Sequence, residues 1–265
     1  MNQTSGDNSS TRGNSARAAA YLRRVTTLAR QGNYDEAIQA MEKAIALAPD
    51  KPGHCVRLAG LYRAQRKMDK AIQAIERAIE LDPYNPSPQE ALLQIYVEAG
   101  KYDEAISGSK GLLKRYPRNT FALDVLGLSY LQKGMLDEAL QVTSRLVRLA
   151  PLDSANHYKK AVLFQQKGDC ARAIEEFSRV IEMDPDGDLS TDAREAIASL
   201  DEYQLRQIAT LATEDRLFMM KLLRNPDGAA RERGFVLSVA GIMALKQMDF
   251  TSLSSHGSEQ QKYYH

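Results

Sequence analysis

The sequence has only two cysteines, Cys55 and Cys170, and they sit far apart in the chain. That excludes a disulfide framework and is consistent with a reducing compartment. A charge excess is also missing: 35 Lys and Arg stand against 34 Asp and Glu. The electrostatic footprint of a general nucleic-acid binder is therefore absent. No apolar run approaches the roughly 18 residues needed to cross a bilayer. The opening stretch MNQTSGDNSSTRGNSARAAAYLRR lacks the apolar segment of a secretory signal, so a cytoplasmic location is expected. The four histidines, His54, His157, His256 and His265, are scattered. There is no HExxH, CxxC pair, Gly-rich phosphate loop or GxSxG, so the sequence predicts no enzyme, no metal and no cofactor. His54 and Cys55 are neighbours, but neighbours on a helix point about 100° apart and do not face each other. They read as two residues at a helix start.

What the chain does have is an ordinary globular balance, 43% hydrophobic and 26% charged over 265 residues, enough for one large or two modest domains with a real core. It also has a period. GNYDEAIQAMEKAIALAPD, starting at Gly32, returns every 34 residues as RKMDKAIQAIERAIELDPY, GKYDEAISGSKGLLKRYPR, GMLDEALQVTSRLVRLAPL and GDCARAIEEFSRVIEMDPD. Pro49, Pro83, Pro117, Pro151 and Pro185 keep that spacing, as do Ala37, Ala71, Ala105, Ala139 and Ala173.

Each proline closes a helix, because it cannot continue the hydrogen-bond ladder. Before each alanine stands a turn residue, Gly32, Gly100, Gly134 or Gly168, with Arg66 the exception. Glycine there supplies the backbone freedom to leave one helix and enter the next. The aligned units show large residues in one helix (Leu28, Tyr62, Tyr96, Tyr130, Phe164) and a mostly smaller column in the other (Ala44, Ala78, Leu112, Leu146, Val180). Every unit reads as helix, turn, helix, stop.

This pattern resembles the tetratricopeptide repeat over residues 18–187. The resemblance implies an all-α solenoid of about five helix–turn–helix repeats, wound as a right-handed superhelix with a concave groove, because a lone pair cannot bury its apolar face. Departures stand at Arg24 and Lys160, where Leu58, Leu92 and Leu126 occupy the column, and at Ser109 and Thr143, where Met41, Ile75 and Phe177 do. They put local packing in question.

In such arrays the first helix of each pair lines the groove. The resemblance thereby nominates Val56, Gly60, Arg63, Glu90, Gln94, Val97, Asp124, Leu128, Leu131, Tyr158, Val162 and Gln165 as peptide-binding. Some relatives grip a partner's C-terminal carboxylate with Lys, Asn and Arg, and those columns hold no Lys or Asn. Glu90 and Asp124, one repeat apart and near Leu128, Leu131, Tyr158 and Val162, suit instead an amphipathic helix or extended peptide with apolar anchors and a basic residue. The expected function is a non-catalytic scaffold or adaptor that binds a protein or peptide.

Residues 1–14, rich in Ser, Asn, Gly and Thr, read as a disordered tail. Residues 15–200 read as the array with a capping helix, DGDLSTDAREAIASL. Residues 201–250 form a small helical module of three or four helices, and 251–265 a flexible tail. Within the module Asn225–Pro226 reads as a helix start, Gly234 as a stop and Ser238 as a cap. The stretch FMMKLLRNPDGAARERGFVLSVAGIMAL resembles leader regions of bacterial modified-peptide precursors. That implies an alternative, a carrier or substrate polypeptide whose C-terminal module is recognised by a modifying or assembly partner. The tail TSLSSHGSEQQKYYH has hydroxyls to modify but no cysteine.

Overall fold

The second helix of each repeat stops two residues before its proline. These helices are α2 (Tyr34–Leu47), α4 (Met68–Leu81), α6 (Tyr102–Arg115), α8 (Leu136–Leu149) and α10 (Cys170–Met183). Their partners are α1 (Gly6–Arg30), α3 (Pro52–Ala64), α5 (Pro86–Glu98), α7 (Thr120–Gln132) and α9 (Ser154–Gln166). They are followed by α11 (Asp188–Glu214), α12 (Arg216–Arg224), α13 (Pro226–Glu232) and α14 (Val239–Gln247). The structure, a computed structural model, describes residues 6–250 and the side chains of residues 13–250; among these every regular element is an α-helix, and the protein is an all-α repeat solenoid followed by a helical module. The tail expected at 251–265 and residues 1–5 lie outside the described residues.

The turn between paired helices is the same device each time. Gly32, Gly100, Gly134 and Gly168 have φ of 78°, 69°, 71° and 75°, the left-handed region that glycine enters without a Cβ penalty. Arg66 takes the same conformation at φ 59°, which for an L-residue costs roughly 1–2 kcal/mol. The amide after the turn reaches back to the aromatic column, as in Lys67 N–H to Tyr62 O at 2.9 Å, Lys101 N–H to Tyr96 O at 2.8 Å and Asp169 N–H to Phe164 O at 2.9 Å. These bonds satisfy carbonyls that a helix end leaves orphaned.

The five alanines of the repeat, Ala37, Ala71, Ala105, Ala139 and Ala173, are all 0% exposed. At those points the paired helices come too close for a larger side chain. Caps recur at the starts of first helices: Asn85 accepts from Ser87 N–H, Asn119 from Ala122 N–H and Asp153 from Ala155 N–H.

The chain forms two compact units, 1–134 and 135–265. In the first, α3 packs against α5 and α5 against α7, whereas the second helices of successive repeats make no comparable contact with one another. First helices thus crowd together on one face and second helices splay on the other. A ladder of exposed ion pairs clips each turn to the second helix of the preceding repeat: Lys67–Asp35 at 3.5 Å, Lys101–Asp69 at 2.9 Å and Lys133–Asp103. Exposed pairs of this kind contribute about 0–1 kcal/mol each.

In the second unit the same pattern runs through Lys167–Asp137, and a core of Ala161, Phe164, Phe177, Val180, Ala193 and Leu200 joins α9, α10 and α11. A second core, with Ile208, Phe218, Leu222, Ala230, Leu245 and Phe250, joins the far half of α11 to α12, α13 and α14.

Two expected boundaries differ from the structure. Helix α1 starts at Gly6, so residues 6–14 of the expected tail are helical; they continue the helix of the Ala-rich stretch 16–20 although their Gly, Asn and Ser are poor helix formers. The division expected at Leu200 falls inside α11, 27 residues without a break. Its first half caps the repeats and its second half belongs to the module, because both halves present an apolar face and no Gly or Pro lies between them.

Candidate functional site

The face made by α3, α5 and α7 carries nine of the twelve nominated residues. Gly60, Gln94 and Leu128 are exposed there, while Val56, Arg63, Glu90, Val97, Asp124 and Leu131 are half-buried. Tyr158, Val162 and Gln165 lie on α9 in the second unit, also half-buried. Tyr158 stacks edge-on to Phe177, ring centroids 5.4 Å apart, so much of its surface is spent on the core between α9 and α10. None of the twelve is fully buried.

Two hollows open on the first unit's face and share Gly60 and Ala64. One, about 510 Å³, is lined by Gly60, Arg63, Ala64, Arg66, Met68 and Glu98. The other, about 420 Å³, has a floor of Val25, Ala29, Leu61 and Ala64, with Tyr34, Thr26, Arg30 and Arg57 at its rim. A Cβ at Gly60 would meet nothing within 4 Å, so the glycine is open space between the hollows. Arg57 donates to Thr26 Oγ1 at 2.8 Å, and Arg63 stands 3.5 Å from Glu98, which in turn accepts from Gln94 at 3.1 Å. The lining thus holds four arginines against one glutamate.

The expected docking point for a partner's basic residue is differently arranged. Glu90 Oε1 accepts from Asn119 Nδ2 at 2.6 Å, and the same asparagine caps α7 with its oxygen. Its carboxylate is already used inside the protein, tying one repeat's first helix to the next. Sequence columns did not show this, because Asn119 lies between helices, outside the positions compared. The arginine-lined hollows were missed for a related reason: Arg30, Arg57 and Arg66 lie off the three columns and converge only through the packing of α1, α2 and α3.

The second unit holds a buried polar cluster. His157, Lys160 and Glu176 meet at the α9–α10 contact, with the histidine side chain 4% and the glutamate 5% exposed. Glu176 faces His157 Nδ1 at 2.7 Å and accepts from Lys160 Nζ at 2.7 Å, with Arg179 at 3.5 Å; His157 Nε2 donates to Pro151 O at 3.1 Å. Burial alone raises the Glu176 carboxyl, but Lys160, His157 and Arg179 outweigh it and hold the group below the usual carboxylate range. This explains the departure at position 160: a lysine stands in an apolar column because Glu176 faces it. The cluster bolts α9 to α10 across their buried contact. Cys55 is buried, which pushes its thiol up and away from reactivity.

In the module, the residues that resemble a leader serve the fold itself. Asp215 caps α12, accepting from Phe218 N–H at 3.0 Å, and pairs with Arg233. Asn225 caps α13 and Ser238 caps α14. Gly234 turns the chain at φ 85°. The following segment is clamped by α11: Gln204 donates to Val236 O at 2.8 Å and accepts from Val236 N–H at 2.9 Å, and Asp201 accepts from Ser238 N–H at 2.9 Å.

Among the described residues, no helix is long and apolar enough to cross a membrane, and no three His, Cys, Asp or Glu side chains gather as metal ligands. No curated protein is similar enough in sequence to match the chain. Among solved structures, the fold is similar to YrrB, described as a TPR protein with an unusual peptide-binding site, at 20% identity and a TM-score of 0.53, over 66% of this chain and 90% of that one. It is similar to MamA 41-end from Desulfovibrio magneticus RS-1 at 18% identity and TM-score 0.57, over 65% and 97%. PilF of Pseudomonas aeruginosa gives 18% and 0.53, over 74% and 93%. At such identities the likeness is one of fold. Tetratricopeptide repeat models match residues 22–86, 91–154 and 155–186, more than half of the sequence, and with the 34-residue period, the left-handed turns and the closed alanine contacts they establish that the chain belongs to the tetratricopeptide repeat family.

Proposed function

We propose that the protein is a scaffold that binds a peptide segment of another protein along the α3, α5 and α7 face, with the two hollows at Gly60 as its main anchor points. Repeats of this family generally mediate protein binding, and the neighbour YrrB is described as having a peptide-binding site. The observation that carries the reading is the pair of adjoining hollows, floored by Val25, Ala29, Leu61 and Ala64, open at Gly60 and rimmed by Arg30, Arg57, Arg63 and Arg66. An apolar side chain fills such a floor, and an acidic side chain beside it meets the arginines. Val97, Leu128 and Leu131 extend the apolar track along the same face.

The test is peptide-display selection against the purified full chain, repeated with Gly60→Leu. The leucine side chain enters open space, so the fold is kept while the anchor is filled. Selected peptides should pair an apolar residue with a neighbouring Asp or Glu and should lose about tenfold or more in affinity for Gly60→Leu, the range expected for a buried anchor. Enrichment of peptides that bind the variant equally well would place the binding surface elsewhere.

A further inference from the structure

Large apolar side chains left exposed are unevenly distributed in this molecule. Among the described residues twelve stand out, and seven of them, Tyr203, Leu217, Met220, Leu223, Val236, Val239 and Met243, fall after residue 200. Three belong to the nine-residue helix α12: Leu217 is 73%, Met220 59% and Leu223 54% exposed. They recur at helical spacing, i, i+3 and i+6, and so share one side of the helix. The opposite side is Phe218, Met219 and Leu222, at 1%, 8% and 0% exposure, and it supplies the module's core. The helix is apolar on both sides, yet only one side is covered. A single exposed leucine is ordinary, but a stripe of three on one helix, facing water, is the pattern of an interaction surface.

The charges on that side are also unusual. Arg216 and Arg224 lie within the same arc, one at each end of α12. Lys221 is paired with Glu232 and Asp215 with Arg233, whereas among the described residues Arg216 and Arg224 have no ion-pair partner. The face therefore presents Leu217, Met220 and Leu223 between two uncommitted guanidinium groups, with no acidic residue in α12 itself. Residues 201–250 as a whole balance seven Lys and Arg with seven Asp and Glu. Such a module lacks the broad positive field that draws a protein to an anionic membrane, while two fixed arginines suit the discrete carboxylates of a protein partner.

We propose that α12 is a second docking surface, separate from the repeat face, and that its occupant is an amphipathic helix of another protein whose apolar stripe is flanked by acidic side chains. The partner's apolar residues cover Leu217, Met220 and Leu223, and its carboxylates meet Arg216 and Arg224. With one surface on the repeats and another on the module, the chain holds two proteins at once, which is what a scaffold requires.

The test uses the full chain carrying Gly60→Leu, which fills the anchor of the repeat face so that only α12 is probed, and two synthetic helical peptides of about four turns, each with leucines on one face. One carries glutamates beside the leucines, and its twin carries lysines. The glutamate peptide should bind about tenfold more tightly at low salt, with the gap narrowing as ionic strength rises. Met220→Ser with Leu223→Ser, both at exposed positions, should abolish binding without changing the circular dichroism. Arg216→Gln with Arg224→Gln should make the twins equivalent. The proposal is overturned if neither peptide binds or if both bind the Gly60→Leu chain equally. It is overturned too if phosphatidylglycerol vesicles capture the chain through the two arginines, or if sedimentation shows a dimer that Met220→Ser dissociates.

Discussion

The repeats and the C-terminal module are both helical, but they are stabilised in opposite ways. A repeat reuses one solution: an alanine with no exposed surface, a left-handed turn, and a Lys–Asp clip to its neighbour. Each unit leans only on the next, so a defect weakens one interface and leaves the others intact. The module uses features that occur once. Asp201 and Gln204 pin the segment 236–238, Asp215 holds Arg233, and one small core serves four helical pieces. Redundancy tolerates error, whereas a unique network is cooperative and fails as a whole.

The comparison can be broken most severely at Gly241. A Cβ there would stand 2.5 Å from the Asp201 carboxylate, and both Asp201 and the glycine are buried. Gly241→Val should cost about 3 kcal/mol or more by overpacking and by displacing the clamp. Hydrogen exchange should show protection lost throughout residues 201–250. Ala71→Trp, which wedges a repeat contact, should cost about 1–3 kcal/mol, with the exchange increase confined to α3, α4 and the helices beside them. Equal spread of the two lesions would erase the distinction.

Next in size is the pH response of the α9–α10 bolt. Because the Glu176 carboxyl is held below its unfolded value of 4.5, its contribution is fully present above that pH and is lost as pH falls through the lower folded value. Thermal melts of the parent should therefore decline in this acidic window. Glu176→Gln should be less stable at pH 7, with a flatter decline below pH 4.5. A parallel offset of the two curves would show that the Glu176 carboxyl titrates alike in the folded and unfolded chain, with no lowering by its partners.

The smallest effect sharpens the comparison from the other side. Arg66 alone among the repeat turns holds a left-handed backbone without glycine. Arg66→Gly should raise stability by about 0.5–1 kcal/mol, the relief of strain less the added freedom of the unfolded chain. A calorimetric melt that stays put or falls would mean the arginine side chain repays its strain.

The legibility of the sequence follows the same divide. Pro49, Pro83 and their successors placed the helix ends, Ala71 and its equivalents placed the contacts, and Arg66 was visible as the odd member of a glycine series. Repetition supplies its own control, since each position is read five times. The Asn225, Gly234 and Ser238 signals worked in the module because capping is local chemistry. What the sequence did not reveal depends on residues brought together from afar: Asn119 on Glu90, Glu176 on Lys160, four arginines around Gly60. The continuity of α11 was missed because a change of sequence register at Leu200 was read as a change of element.

That continuity makes α11 a shaft. At 27 residues it is about 40 Å long, gripped at one end by α9 and α10 through Ala193 and Leu200 and at the other by α12 and α14 through Ile208 and Ala212. A single residue inserted between Leu200 and Asp201 would turn the module by about 100° and advance it by about 1.5 Å, whereas seven would bring it back nearly into phase two turns further out. The direction in which the module faces is therefore a matter of counting: it is written in the length of one helix, and evolution can swing or extend the arm without altering a side chain at either end.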